Sequence, residues 1–243
     1  MRTPMRPQNL THSIVHDLGI AIVTGKYTDQ PFPREIELSV QYQAARTVTR
    51  EAVKMLTSKG LLSARPRQGT RVENEDHWNL LDPDVLRWML ERKFSLDLLI
   101  EFTQIRLSVE PGAAALAATA AGPAERAEIA HAIERMVAAE NGEDDPLIAD
   151  IAFHVAVVRG SGNRFFLQMS EMIETALRFS IRKTNDFKGR LASVADHKGV
   201  ADAILAGQSA RAEAKMRALI QGALDLMLKV KAKKTAGRKP KSS

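Results

Sequence analysis

Cysteine is absent from the 243 residues, which excludes disulfides, thiolate metal sites and cysteine nucleophiles. No apolar run approaches the roughly 18–20 residues that a membrane span needs, and the opening MRTPMRPQN has no apolar signal core. Both absences point to a cytoplasmic chain held together by its core alone. Hydrophobic residues at 44% and charged residues at 26% are too apolar a mixture for disorder. At roughly 150 residues per domain, the length suggests one or two domains.

Charge is unevenly distributed. The net of +6 divides into +3 over residues 1–76, −4 over 77–228 and +7 over 229–243, where Lys229, Lys231, Lys233, Lys234, Arg238, Lys239 and Lys241 stand without a single acid. The tail alone sets the sign, so the basic pI does not by itself identify a nucleic-acid partner. The smaller excess in the first third is more telling, because it coincides with a structural pattern.

That third reads as three short helices and a hairpin. Ile14, Leu18, Ala21 and Ile22 form a helical stripe ending near Gly25. A short helix follows at about 34–42, and a turn at Gln43-Ala44-Ala45 leads to a third helix over about 46–59. Gly60 stops it. Strands at 61–64 and 70–72 flank a turn, Arg65-Pro66-Arg67-Gln68-Gly69, with its arginines at an exposed tip. This is the order of a winged helix-turn-helix, whose third helix enters the major groove N-terminus first. Arg46, Thr47 and Arg50 fall in its first turns: an arginine can donate twice to guanine, and threonine can meet base or phosphate. Arg65, Arg67, Gln68 and Gly69 would meet phosphate or the minor groove.

After the acidic boundary Glu73-Asn74-Glu75-Asp76, the pattern is helical at about 84–92, 97–120, 124–141, 147–159, 164–183, 193–206 and 209–232. Alanine is abundant and no alternating β-branched run occurs, so a helix bundle is expected. The expected organisation is a winged helix-turn-helix DNA-binding domain over 1–76, a connector over 77–96, a helical domain over 97–230 (the effector-binding and dimerisation domain that the resemblance given below implies) and a basic disordered tail over 231–243.

Asp150 and His154 stand four apart on one helix, which puts carboxylate and imidazole on one face. With His197 as a third donor from another helix, an oxygen–nitrogen set suits zinc or another divalent transition metal better than calcium. A plain surface ion pair satisfies the same spacing. Arg106 would anchor an effector carboxylate through a bidentate pair, or simply pair with Glu110 one turn on. Pro111 removes one hydrogen bond of that helix and is placed to kink it where a cavity needs room. Arg178, Ser180, Arg182, Thr184 and Asn185 form a polar run, suited to a hydroxyl-rich ligand or to a solvated helix end.

The stretch PFPREIELSVQYQAARTVTREAVKMLTSKGLLSARPRQGTRV resembles the DNA-binding domain of the GntR family of bacterial regulators, with Arg46, Arg50, Glu51, Leu56, Gly60, Leu61, Gly69 and Val72 on its pattern. Ala45 replaces the usual serine ahead of the third helix, and Ile36 stands where some members carry a DNA-contacting arginine. Residues 97–228 resemble the all-helical FCD effector domain of the FadR branch, through Arg106-Leu-Ser-Val-Glu110, Asp150-Ile-Ala-Phe-His154, Ser161-Gly162-Asn163 and Asp196-His197. The resemblance implies a metal held by Asp150, His154 and His197, with Leu219 where members have a fourth, histidine ligand. The connector at 77–88 is similar to that of the branch's galactonate-responsive members.

A mainly α protein is therefore expected: a homodimeric regulator on a near-palindromic double-stranded operator, most simply a repressor of sugar-acid catabolism released by a small carboxylate effector such as a hexonate. Arg106, Arg178, Ser180, Thr184 and Asn185 are its candidate effector contacts. The rival from another class is a metal-dependent enzyme with an accessory nucleic-acid module, for which no strong general-base motif is present.

Overall fold

In the computed structural model, residues 7–65, 69–92, 95–188 and 193–236 are described. The chain divides into two compact units, 1–94 and 95–243.

The first unit contains α1 (Pro7–Val23), α2 (Glu35–Gln41), α3 (Arg46–Ser58), strands β1 (Leu62–Arg65) and β2 (Gly69–Val72), a short 3-10 turn at Glu75–His77 and α4 (Pro83–Arg92). The strands pair antiparallel from Leu62↔Val72 to Arg65↔Gly69. Ile14, Leu18 and Ile22 of α1, Leu38 of α2 and Ala52, Val53 and Leu56 of α3 are buried. α1 and α2 both pack on α3. Burying each of the six larger side chains among these contributes about 1.5–3 kcal/mol, which a unit this small depends on.

α4 falls in the stretch read as a connector, yet it packs on α1 within the first unit. Gly19 makes this possible. A Cβ there would lie 2.6 Å from two carbons of the Trp88 ring, and the Trp88 Nε1–H donates to His16 Nδ1 at 2.9 Å. The end of α3 is tied to the same region. Lys59 donates to Asp82 at 2.7 and 2.8 Å and to Asp84 at 2.9 Å, and its carbonyl accepts from Asn79 N–H at 3.0 Å. Gly60, at φ +77°, turns the chain where a side chain would strike the His77 carbonyl.

The described elements of the second unit are all helices: α5 (Leu96–Ala120), α6 (Pro123–Glu140), α7 (Pro146–Gly160), α8 (Arg164–Gln168), α9 (Ser170–Lys188), α10 (Val194–Leu205) and α11 (Ser209–Ala236). Starts follow local chemistry. Ser95, Asp145, Asn163 and Ser193 cap α5, α7, α8 and α10 through their side chains, and proline occupies the first position of α6 and α7. Alanines let α5 and α7 pack closely within the bundle, around a core that includes Ala114, Ala117, Ile129, Phe153, Val157, Val200 and Ile204.

Two expectations need correction. The single helix over 164–183 is broken at Met169, whose carbonyl starts α9 by accepting from Ile173 N–H at 2.9 Å. No glycine or proline marks that break. The tail assigned to 231–243 is helical up to Ala236, because its Ala/Lys composition favours helix and Lys231 pairs with Asp97 at 2.6 Å. Residues 237–243 lie outside the described residues. Among the described residues no helix is long and apolar enough to cross a membrane.

Candidate metal centre and nucleic-acid interface

Three interior helices of the second unit build a buried polar cluster. α5 supplies Arg106 and Glu110, α7 supplies Asp150 and His154, and α10 supplies His197; each is at most 4% exposed. The i, i+4 spacing sets each pair on one helical face, and the packing of α5 and α10 brings them together. Phe153 stacks edge-on to both imidazoles, at centroid distances of 5.6 and 5.2 Å, and the two rings stand 5.4 Å apart.

The hydrogen bonds determine which nitrogens face inward. His197 Nδ1 lies 2.7 Å from the Ser193 carbonyl. A carbonyl only accepts, so Nδ1 carries the proton. His154 Nδ1 lies 2.6 Å from Glu110 Oε2 and donates to it in the same way. Both Nε2 atoms then turn to one oxygen, Asp150 Oδ1, at 3.3 Å from His154 and 3.1 Å from His197. Two lone pairs converging on a carboxylate oxygen repel unless positive charge stands among them, either as ring protons or as one shared cation. The ligand atoms of Asp150, His154 and His197 lie within 4.8 Å of one another. Donors about 2.0–2.1 Å from a tetrahedral centre would sit about 3.4 Å apart, close to the 3.3 and 3.1 Å that separate the two nitrogens from the Asp150 oxygen. The outward acceptors, a carbonyl and a carboxylate, are the partners that metal-bound histidines commonly have. The donor set therefore fits a divalent transition metal. Leu219 packs against the apolar core and offers no fourth ligand.

Electrostatics agree with the geometry. Burial opposes ionisation of Glu110, but the charges of Arg106 and His154 outweigh it and hold its carboxyl down to about 2. Burial likewise opposes the charge on Asp150, and hydrogen bonds from His154 and His197 hold it well below the ordinary carboxylate range. His154 is raised, because Glu110 overrides the cost of burial.

Arg106 both pairs with Glu110 and touches the cluster. Its Nε donates to Glu110 Oε1 at 2.5 Å, while Nη2 lies 3.2 and 3.3 Å from the two ring nitrogens of His154. Arg178 is elsewhere: it is exposed, pairs with Glu174 at 2.6 Å and lines a groove with Ile148, Ala152, Val155 and Arg159. Those α7 residues occupy the helical face opposite Asp150 and His154. The side chains of Ser180, Arg182, Thr184 and Asn185 lie outside the described residues.

In the first unit Arg46 and Thr47 are exposed at the start of α3. Ala45 precedes them in cap position without a side-chain hydrogen bond, and Gln43 makes the preceding turn at φ +48°. Arg50 is exposed and steadied by Glu35 of α2 at 3.1 Å, while buried Thr49 bonds to Ser39 at 3.0 Å. The β1–β2 ribbon brings Gly69 opposite Arg65 at its outer end; the Arg65 side chain, Arg67 and Gln68 lie outside the described residues.

Two features escaped the sequence reading. Glu110 was visible only as the neighbour of Arg106, and the Ser193 carbonyl carries no residue signal at all.

Comparison with known proteins finds the family described as "Bacterial regulatory proteins, gntR family" over residues 10–72 and the FCD domain over 101–222. The galactonate operon transcriptional repressor of Escherichia coli K12 is 33% identical over 199 residues, covering 81% of this chain and 87% of that protein. The HTH-type transcriptional regulator YieP of the same organism is 31% identical over 201 residues, 82% of this chain and 86% of that one. Among solved structures, one described as Lar, which controls the Listeria monocytogenes agr system, superposes with a TM-score of 0.57 at 13% identity, over 94% of this chain and 99% of that one; that likeness concerns the fold.

Proposed function

The chain belongs to the GntR family of bacterial regulatory proteins, a DNA-binding transcription regulator and not an enzyme, and from that premise we propose that it is a cytoplasmic, homodimeric repressor of sugar-acid catabolism released by a hexonate. Galactonate is the first candidate, since a relative bears that name. Two copies of the first unit read the half-sites of a near-palindromic operator through Arg46, Thr47 and Arg50, with Arg65, Arg67, Gln68 and Gly69 on the flanking backbone or minor groove. The second unit joins the copies and holds the effector.

One observation carries this reading: the buried guanidinium of Arg106 against a three-donor cation site. A sugar acid offers a carboxylate for the first and hydroxyl oxygens for the second. Asp150, His154 and His197 would hold the metal, zinc by preference, and the metal would act as a Lewis acid toward ligand oxygens. Arg106 orients the carboxylate, and Phe153 with the surrounding alanines keeps the site dry. Ser180, Thr184 and Asn185 are the further candidates for hydroxyl contacts. Arg178 sits apart from that cluster, in the groove on the opposite face of α7. An effector that prefers one arrangement of the dimer lowers operator affinity by its differential affinity for the two states, typically about 1–3 kcal/mol.

The test combines two titrations of the full chain. Hexonates are screened by thermal shift with and without zinc, since a native-state ligand raises the melting temperature. Binding to the gene's own upstream DNA is then compared with scrambled DNA. We expect a preference for the former, abolished by an acid that raises the melting temperature. Equal affinity for both DNAs, with and without acids, refutes the reading.

A further inference from the structure

A guanidinium and a metal cation repel one another, yet Arg106 Nη2 lies 3.2–3.3 Å from both ring nitrogens of a candidate metal ligand. Glu110 stands between them, fully buried. One of its carboxylate oxygens accepts from Arg106 Nε at 2.5 Å and the other from His154 Nδ1 at 2.6 Å. Both strong bonds of the carboxylate are thus spent on joining two groups that would otherwise oppose each other.

We propose that Glu110 is a positioning residue that couples the two halves of the buried cluster: it fixes the His154 ring with Nε2 toward Asp150 and supplies the negative charge that lets a metal ion and Arg106 stand side by side. This rests on the metal reading above. The chemistry is that of a carboxylate–histidine–metal relay, in which the outer acceptor raises ligand basicity and holds ring orientation. The difference is that the same carboxylate also carries an arginine. Its neutralisation should therefore weaken metal binding through two routes, a less basic imidazole and an uncompensated guanidinium. Removing the guanidinium as well should undo the second.

The experiment measures zinc affinity of the full chain by chelator competition, for the wild type, Glu110→Gln, Arg106→Met and the double variant. Melting profiles confirm that each is folded. Glu110→Gln should bind zinc about 10–100-fold more weakly. The double variant should recover at least half of that loss on a logarithmic scale, which a residue needed only for packing would not show. The cobalt-loaded absorption spectrum of Glu110→Gln should also shift, reporting a reoriented His154. Zinc held equally by wild type and Glu110→Gln overturns the inference alone, as does a double variant no better than Glu110→Gln. A wild type that binds no zinc overturns the metal reading and the inference with it. Should Glu110→Gln unfold, the double variant decides: affinity within 10-fold of wild type supports the coupling, and a larger loss refutes it.

Discussion

Gly19→Ala tests how α4 is held. In an ordinary helix interior, alanine in place of glycine stabilises by about 0.5–1 kcal/mol. Here the new Cβ would fall 2.6 Å from two carbons of the Trp88 ring, and Trp88 is 1% exposed, so the indole must move. Overpacking of this kind costs about 1–3 kcal/mol. Displacing the ring also strains the 2.9 Å bond from Trp88 Nε1 to His16, for about 0.5–1.5 kcal/mol. The helix-propensity gain offsets part of that, leaving a net loss of about 0.5–4 kcal/mol. For a unit of this size such a loss lowers the midpoint by roughly 2–30 °C. Gly222→Ala in α11 is the control, because nothing lies within 4 Å of its Cβ position; it should gain about 0.5–1 kcal/mol. Scanning calorimetry resolves the effects by unit, since two units need not melt together. If Gly19→Ala stabilises as Gly222→Ala does, the packing of α4 on α1 described here is incorrect.

Three further outcomes are expected. Arg46→Ala should cost about 1–3 kcal/mol of discrimination between operator and random DNA; equal weakening on both would restrict Arg46 to phosphate. His154→Ala should reduce the response to effector while sparing operator affinity in its absence, and an unchanged response in release titrations would remove the cation site from signalling. Lys59→Met should destabilise the first unit by about 1–2 kcal/mol at neutral pH, allowing for solvent at half-exposed Asp84. Burial opposes the charge on Asp84, but Lys59 and Arg87 hold its carboxyl below the ordinary value. That contribution is present above the unfolded pKa, near 3.9, and is lost as pH falls through the folded one. Acid unfolding of the variant should therefore be flatter between about pH 5 and 3, whereas parallel profiles would count against the ion pair.

Much of this protein was legible in its sequence where the signal is local. Gly60 after an apolar stripe and proline at the heads of α6 and α7 announce their elements through φ preference or a missing N–H. The pairing of Asp150 with His154 is equally local, because four residues make one turn. What escaped depends on tertiary distance. Glu110 is one turn from Arg106, but its second oxygen meets His154 from 44 positions away. Trp88 seats on Gly19 across 69 residues, and the helix read at about 84–92 does not by itself reveal which surface it packs on. The interruption at Met169 has no sequence cause that we can name, and the Ser193 carbonyl is a backbone atom common to every residue.

Trp78 and Trp88 are the chain's two tryptophans, and both are buried in the first unit. Residues 95–243 contain none. Indole emission is thus a built-in optical reporter of the reading head, blind to events confined to the sensor bundle. A small acid added to unlabelled protein changes that light only when its message crosses from one half to the other, so communication can be observed with no dye and no DNA present.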